Sequence, residues 1–251
     1  MLVPPTDTTD CYVTLDLDWA PDFMIEYAAE RLVHHGVRAT WFVTHASPAI
    51  DRLRDRGELF EIGIHPNFRS ESSHGSDLVS VLKTCMELVP DAVSLRSHSL
   101  IQSTSILEAI IRETVIQVDG SVFLPGARGV EPVHYSMGDR SLVRVPYIWD
   151  DCYEIHQRAS AWSGSEFMKT KGIKVFNFHP VHVYLNSAGP DNYAALKTRV
   201  SGPLFEAKVE DARSLVNESG TGSRTVFDEL LGALSGGGGQ MKAFAPTTSD
   251  C

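Results

Sequence analysis

Acidic and imidazole side chains fall at a few places along this chain, and most of those places follow short apolar, β-branched runs. Asp16 and Asp18 close the segment Thr14-Leu15-Asp16-Leu17-Asp18-Trp19. His65 follows Glu61-Ile62-Gly63-Ile64, and His74 comes nine residues later. Arg96 and His98 follow Ser94-Leu95, Asp150 and Asp151 follow Trp149, and His179 and His182 follow the run from Lys174 to Phe178. Two carboxylates at the end of one apolar strand are costly to desolvate unless a cation or hydrogen bonds compensate; the same residues could also cap the next helix. With His65 and His74, one of these carboxylates makes an open ligand set for a divalent ion such as zinc, with a position kept for water. His179, at the end of a buried-looking strand, suits proton transfer. His45, Asp119 and His182 share the strand-end placement but read more simply as packed or capping residues.

Residues so far apart in sequence need a scaffold that gathers them, and parallel barrels do this with the loops at the carboxyl ends of their strands. Short apolar runs alternate here with helical stretches, the pattern of an α/β fold with crossover helices. The strands read as Tyr12–Leu17, Ala39–Thr44, Phe60–Ile64, Val93–Leu95, Val115–Val118, Leu142–Pro146 and Lys174–Phe178, seven in all, which suits a barrel. The first helix starts near Pro21, shows Met24, Tyr27, Ala28 and Leu32 on one face, and ends at Gly36. Asp77 to Leu88 and Ser103 to Glu113 have similar spacing, with Ser103 as N-cap. Gly126 to Gly138 lacks periodicity and reads as a long loop over one barrel end. Residues 1–234 form one domain on this reading, and the glycine run after Ser235 opens a flexible tail, 235–251.

A chain of 251 residues that is 43% hydrophobic can build one substantial core. Its net charge of −10, without a lysine-arginine cluster, argues against nucleic acid or an anionic membrane as partner. Residues 1–10 carry no apolar signal core and no run is long enough to span a membrane, so a cytoplasmic location is expected. Cys11, Cys85, Cys152 and Cys251 are scattered without metal-binding or disulfide spacing.

Taken in order over residues 10 to 185, these segments resemble the polysaccharide deacetylases (carbohydrate esterase family 4, NodB-like), especially the deacetylase-like proteins of O-antigen and lipopolysaccharide biosynthesis. The resemblance implies a distorted (β/α) barrel and a metal-dependent hydrolase that removes an N-acetyl group from a sugar, with zinc as the first choice of ion. Asp16 then matches the catalytic base and Asp18 the metal-binding aspartate, although Leu17 separates a pair that is adjacent in the family, so either could take either role. His65 matches the first histidine ligand; Arg69 stands where the second is usual, which passes that role to His74. Arg96 matches the arginine that orients the base, in a segment that also supplies a backbone N–H for the oxyanion, and His98 stands where substrate or acetate would be contacted. Trp149-Asp150 resembles the aspartate-tryptophan motif, with Asp150 polarising His179, the general acid. Trp19 and Trp149 are placed to stack on a sugar. The implied substrate is a nucleotide- or lipid-linked N-acetylated saccharide. Two other readings fit the same residues: a metal-dependent amidohydrolase acting on another small C–N amide, and a non-catalytic, carbohydrate-binding member of the fold.

Overall fold

The computed structural model describes residues 10–157, 164 and 166–246. Its strands are β1 (Cys11–Asp16), β2 (Ala39–Val43), β3 (Phe60–Ile64), β4 (Ser94–Leu95), β5 (Val118–Asp119), β6 (Val133–Met137), β7 (Arg140–Arg144), β8 (Trp149–Asp150) and β9 (Lys174–Phe178). They form one sheet in the order β6-β7-β5-β4-β3-β2-β1-β9-β8. Every pairing is parallel except β6 with β7. The helices are α1 (Asp22–His35), α2 (Pro48–Arg54), α3 (Leu78–Leu88), α4 (Thr104–Glu113), α5 (Asp151–Gln157), α6 (Pro180–Leu185), α7 (Asp191–Arg199), α8 (Val209–Arg213) and α9 (Ser223–Leu234). The architecture is thus the expected α/β fold with a curled, barrel-like sheet.

The central strands are buried on both faces, which explains why they read as continuous apolar runs instead of alternating ones. Helix α1 begins after Pro21, buries Met24, Ile25, Ala28 and Leu32, and ends where Gly36 turns to φ +64° and returns its N–H to Leu32 and Val33. Asp77 and Ser103 cap α3 and α4, each accepting backbone N–H groups from the first turn. None of the helices among the described residues is long and apolar enough to cross a membrane.

Nine strands stand where seven were expected. One of the two additions overturns the long loop assigned to Gly126–Gly138: Val133 to Met137 pairs antiparallel with Arg140 to Arg144 around Gly138-Asp139, a two-residue hairpin turn with Gly138 at φ +63°. The other is the two-residue β8. Strands β6 and β8 are the two edges of the sheet, and two isolated bridges lie outside the strands, Phe123 to Tyr147 and Val130 to Gly172.

The tail assigned from residue 235 also needs correction as far as residue 246; residues 247–251, like residues 1–9, lie outside the described residues. The segment after α9 crosses the amino ends of three strands. Gly236 donates to His35 O at 2.8 Å, Gly237 O accepts from Arg38 N–H at 3.1 Å, and Gly239 donates to Cys11 O at 2.9 Å. Met241 is fully buried and its N–H meets Thr40 Oγ1, while Lys242 N–H meets Glu61 Oε2 at 2.8 Å. The last glycine of the run is needed for close approach, since a Cβ on Gly239 would lie 2.2 Å from the Tyr12 ring.

Candidate active site

At the carboxyl ends of the strands, a cavity of about 360 Å³ is walled by Asp16, Asp18, His65, His98, Asp150 and His179 together with an aromatic side of Phe123, Tyr147 and Tyr153. Asp18 and Trp19 both occupy the left-handed region, φ 45° and 57°, as do Ser99 and Leu100, φ 55° and 53°. Non-glycine residues pay for that conformation, and the two strained pairs flank the cluster from opposite loops.

The cluster itself is Asp18, His65 and His98. Asp18 Oδ1 lies 3.1 Å from His65 Nε2 and 2.9 Å from His98 Nδ1, and the two nitrogens are 3.3 Å apart. His65 Nδ1 donates to Arg96 O at 2.7 Å, which fixes the ring with Nε2 turned toward the carboxylate. Burial alone would raise the Asp18 carboxyl, but hydrogen bonds from His65 and His98 and the nearby charge of His179 outweigh it and hold Asp18 well below the usual carboxylate range. Around this cavity four carboxylates, Asp16, Asp18, Asp150 and Asp151, face two cations, Arg96 and His179. One carboxylate oxygen and two imidazole nitrogens converging amid surplus negative charge are a donor set that fits a divalent ion.

His74, assigned as a ligand in the sequence, does not join them. Its Nε2 donates to Thr44 O at 2.7 Å, and its Nδ1 accepts from Asn67 N–H at 3.1 Å with Cys85 Sγ at 3.3 Å. Both ring nitrogens are spent on holding the loop that follows His65. His98, assigned to substrate contact, occupies the third position in its place.

Asp16 is fixed from two sides. Its Oδ1 accepts from Arg96 Nη1 at 3.0 Å and its Oδ2 from Asn177 Nδ2 at 3.0 Å. Arg96 is fully buried, stacked between the rings of Phe42 and Tyr147 at 4.7 and 4.4 Å, with Nε on Gly120 O. A buried guanidinium needs such partners, and it faces Asp16 with no water between to weaken the pair. Within the segment that the resemblance takes to supply an oxyanion N–H, the Ser97 and His98 N–H groups are taken by Ser121 Oγ and Pro66 O.

His179 is oriented by Asp151, not by Asp150 as the sequence suggested. Its Nδ1 donates to Asp151 Oδ1 at 2.7 Å, and Asp151 Oδ2 is held by the His179 N–H and by Ser223 Oγ at 2.6 Å. Burial would discharge His179, but the Asp151 charge and hydrogen bond, with Asp18 and Asp150 behind them, raise it well above the usual imidazole value. Its protonated Nε2 faces the cavity 3.8 Å from Asp18 Oδ2. Asp150 instead accepts from Tyr153 N–H and Asn177 Nδ2, and burial together with the charge of Asp151 raises its carboxyl.

The two tryptophans separate. Trp19 sets its ring edge-on to His98 with centroids 5.2 Å apart, behind a member of the cluster. Trp149 is only 3% exposed and packs on Phe178 at 4.8 Å, because strand alternation that turns Asp150 inward turns Trp149 away. The aromatic wall of the cavity is Phe123 stacked on Tyr147, with Tyr153 edge-on to Phe123. Among the weaker candidates, Asp119 pairs with Arg144 at 2.8 Å, His45 stacks on Phe205, and His182 bonds Ser187 Oγ behind His179. Sequence reading passed over Asn177; its signal was a lone amide inside the otherwise apolar end of β9.

Residues 13–197 match the model of a family described as WbmS-like polysaccharide deacetylases. Among solved structures the chain is similar to a protein from Bordetella bronchiseptica described as a polysaccharide deacetylase involved in O-antigen biosynthesis. The two share 34% identity over 89% of this chain and 90% of that one, with a TM-score of 0.77. More distant are the Bc1960 peptidoglycan N-acetylglucosamine deacetylase, 12% identical over 97% of this chain and 91% of that one with a TM-score of 0.44, and a 4-alpha-glucanotransferase from Thermococcus litoralis, 12% identical over 68% and 33% with a TM-score of 0.43. No curated protein matches.

Proposed function

The chain belongs to the WbmS-like polysaccharide deacetylase family, and from that premise we propose that it removes an N-acetyl group from a sugar destined for cell-surface polysaccharide, with O-antigen as the setting. The carbohydrate N-deacetylase class comes with the family. The residue roles and the ion are our own reading, and the observation that carries them is the convergence of Asp18, His65 and His98 beside an oriented Asp16 and a charged His179.

Asp18, His65 and His98 would hold the divalent ion, with zinc as the first choice for two imidazoles and a carboxylate. When bound, such an ion polarises a carbonyl oxygen and acidifies neighbouring water. Asp16, gripped at one oxygen by Arg96 and at the other by Asn177, presents a carboxylate to the cavity that takes the proton of an attacking water. His179 holds a proton on Nε2 and delivers it to the departing amine nitrogen. Asp151 keeps that imidazole charged until the transfer and stabilises it by hydrogen bond throughout. Phe123 and Tyr153 offer an apolar wall on which a sugar ring can lie.

The test is acetate release from nucleotide-linked and lipid-linked N-acetylated saccharides, before and after chelation and after return of zinc. Release that chelation abolishes and zinc restores supports the reading. Release from small formamides or ureides but from no sugar would overturn the substrate, and release indifferent to chelation would overturn the ion.

A further inference from the structure

The inner face of β9 carries one polar side chain that neither joins the ion-binding cluster nor moves a proton in this scheme. Asn177 is fully buried, and strand register sets it in a row between Thr14 of β1 and Asp150 of β8. Asp16 lies two residues along β1 from Thr14, so alternation turns its carboxylate to the same face. The amide therefore meets both acids at once. Its Nδ2 donates to Asp16 Oδ2 at 3.0 Å and to Asp150 Oδ2 at 2.9 Å, while its Oδ1 accepts from Thr14 Oγ1 at 3.0 Å and from Arg96 Nη1. Carboxylates at one end and donors at the other fix which end of the amide is nitrogen.

Few side chains could stand here. A serine or threonine hydroxyl has one proton to give where two acceptors wait. An aspartate has none and would add a further negative charge, and a glutamine is one methylene too long for a position with no exposed surface.

We propose that Asn177 is a positioning residue of the deacetylation reaction, locking the base Asp16 and the second carboxylate Asp150 into one frame with Arg96. The proposal rests on the reading of Asp16 as base. With Arg96 on Oδ1 and Asn177 on Oδ2, the Asp16 carboxylate cannot turn about its Cβ–Cγ bond, and its remaining lone pairs stay aimed into the cavity that it lines. Without the amide, the carboxylate keeps a partner on one oxygen only and is free to swing, and Asp150 loses its tie to the neighbouring strand.

Steady-state acetate release by the zinc-loaded full chain, with zinc affinity measured by calorimetry on the same proteins, tests this for wild type, Asn177→Ala and Asn177→Ser. A misaligned base costs on the order of 100-fold in kcat, so Asn177→Ala should lose about that much and Asn177→Ser less. KM and zinc affinity should stay within about threefold of wild type, since Asn177 touches neither the cluster nor the sugar wall. A folded Asn177→Ala protein with kcat within about threefold of wild type overturns the proposal. So does a loss of activity matched by an equal loss of zinc affinity, or one confined to KM. If Asn177→Ala does not fold, Asn177→Ser is judged by the same criteria. Absence of acetate release from the zinc-loaded wild type overturns the deacetylase reading itself, and the role of Asn177 falls with it.

Discussion

Removing the His98 imidazole should cost the protein its metal, whereas removing that of His74 should not. His98→Ala is expected to weaken zinc binding roughly 100-fold or more, because losing a ligand exceeds the 10- to 100-fold typical of its outer partners. His74→Ala should leave zinc affinity within a few-fold but destabilise the chain by about 2 kcal/mol, since Thr44 O and Asn67 N–H lose their partner. Calorimetric zinc titration and urea unfolding of both variants separate the two roles. Asp151→Asn should lower kcat about 100-fold or more, with Asp150→Asn milder, because Asp151 holds the His179 ring by hydrogen bond and does more than Asp18 or Asp150 to keep it charged. A third consequence concerns His182, whose burial lowers its pKa to about 4. The fold prefers it neutral, so below the ordinary value the unfolded chain binds a proton that the native state refuses. Stability is therefore full above pH 6.5 and lost as the pH falls toward 4, by roughly 2 kcal/mol between pH 7 and 5. His182→Gln should flatten that part of the slope in urea midpoints. At this scale the sequence was legible where a titratable side chain ended a strand, as with Asp16, Asp18, His65 and His179. It misled where loop path decides the outcome. His74 is turned to Thr44 O by the loop it closes, and His98, next to the left-handed pair Ser99-Leu100, reaches Asp18.

At the level of elements, the strands and helices that set up the site follow from apolar runs, caps and the glycine stop after α1, and these were readable because each is a local signal. Pairing partners are not local, and the two added strands show it. The hairpin of β6 and β7 was announced by Gly138-Asp139, but its exposed, mixed residues conceal a strand. Trp149 was placed on the wrong side for a related reason: with only two residues in β8, its phase is set by register with Phe176 and Asn177 on β9 and by nothing within the segment. The isolated bridge between Val130 and Gly172 offers a test at this scale. Gly172 sits at φ +84° with the Val130 backbone so near that an added Cβ would lie 2.5 Å from its carbonyl oxygen. Gly172→Ala should cost at least about 2 kcal/mol, from the left-handed backbone and the clash together, with thermal unfolding as the readout.

Across the whole molecule the two ends of the barrel divide the labour. The candidate active-site groups occupy the carboxyl ends of the strands, and the segment from Ser235 to Phe244 binds the amino ends of β1, β2 and β3 together. Truncation after Leu234 should destabilise the chain by about 3 kcal/mol or more, from loss of the buried Met241 and of the hydrogen bonds to Thr40 and Glu61. Zinc affinity of whatever fraction remains folded should be unchanged. A drop in zinc affinity without a drop in melting temperature would contradict this division. The same segment bears on how the protein is made. Arg38 waits for Gly237 and Cys11 for Gly239, so β1 and β2 stay unfinished during synthesis until some 200 further residues have followed. A nascent chain halted short of Gly239 would hold its first three strands with their lower edge uncapped, in the company of chaperones and proteases instead of substrate.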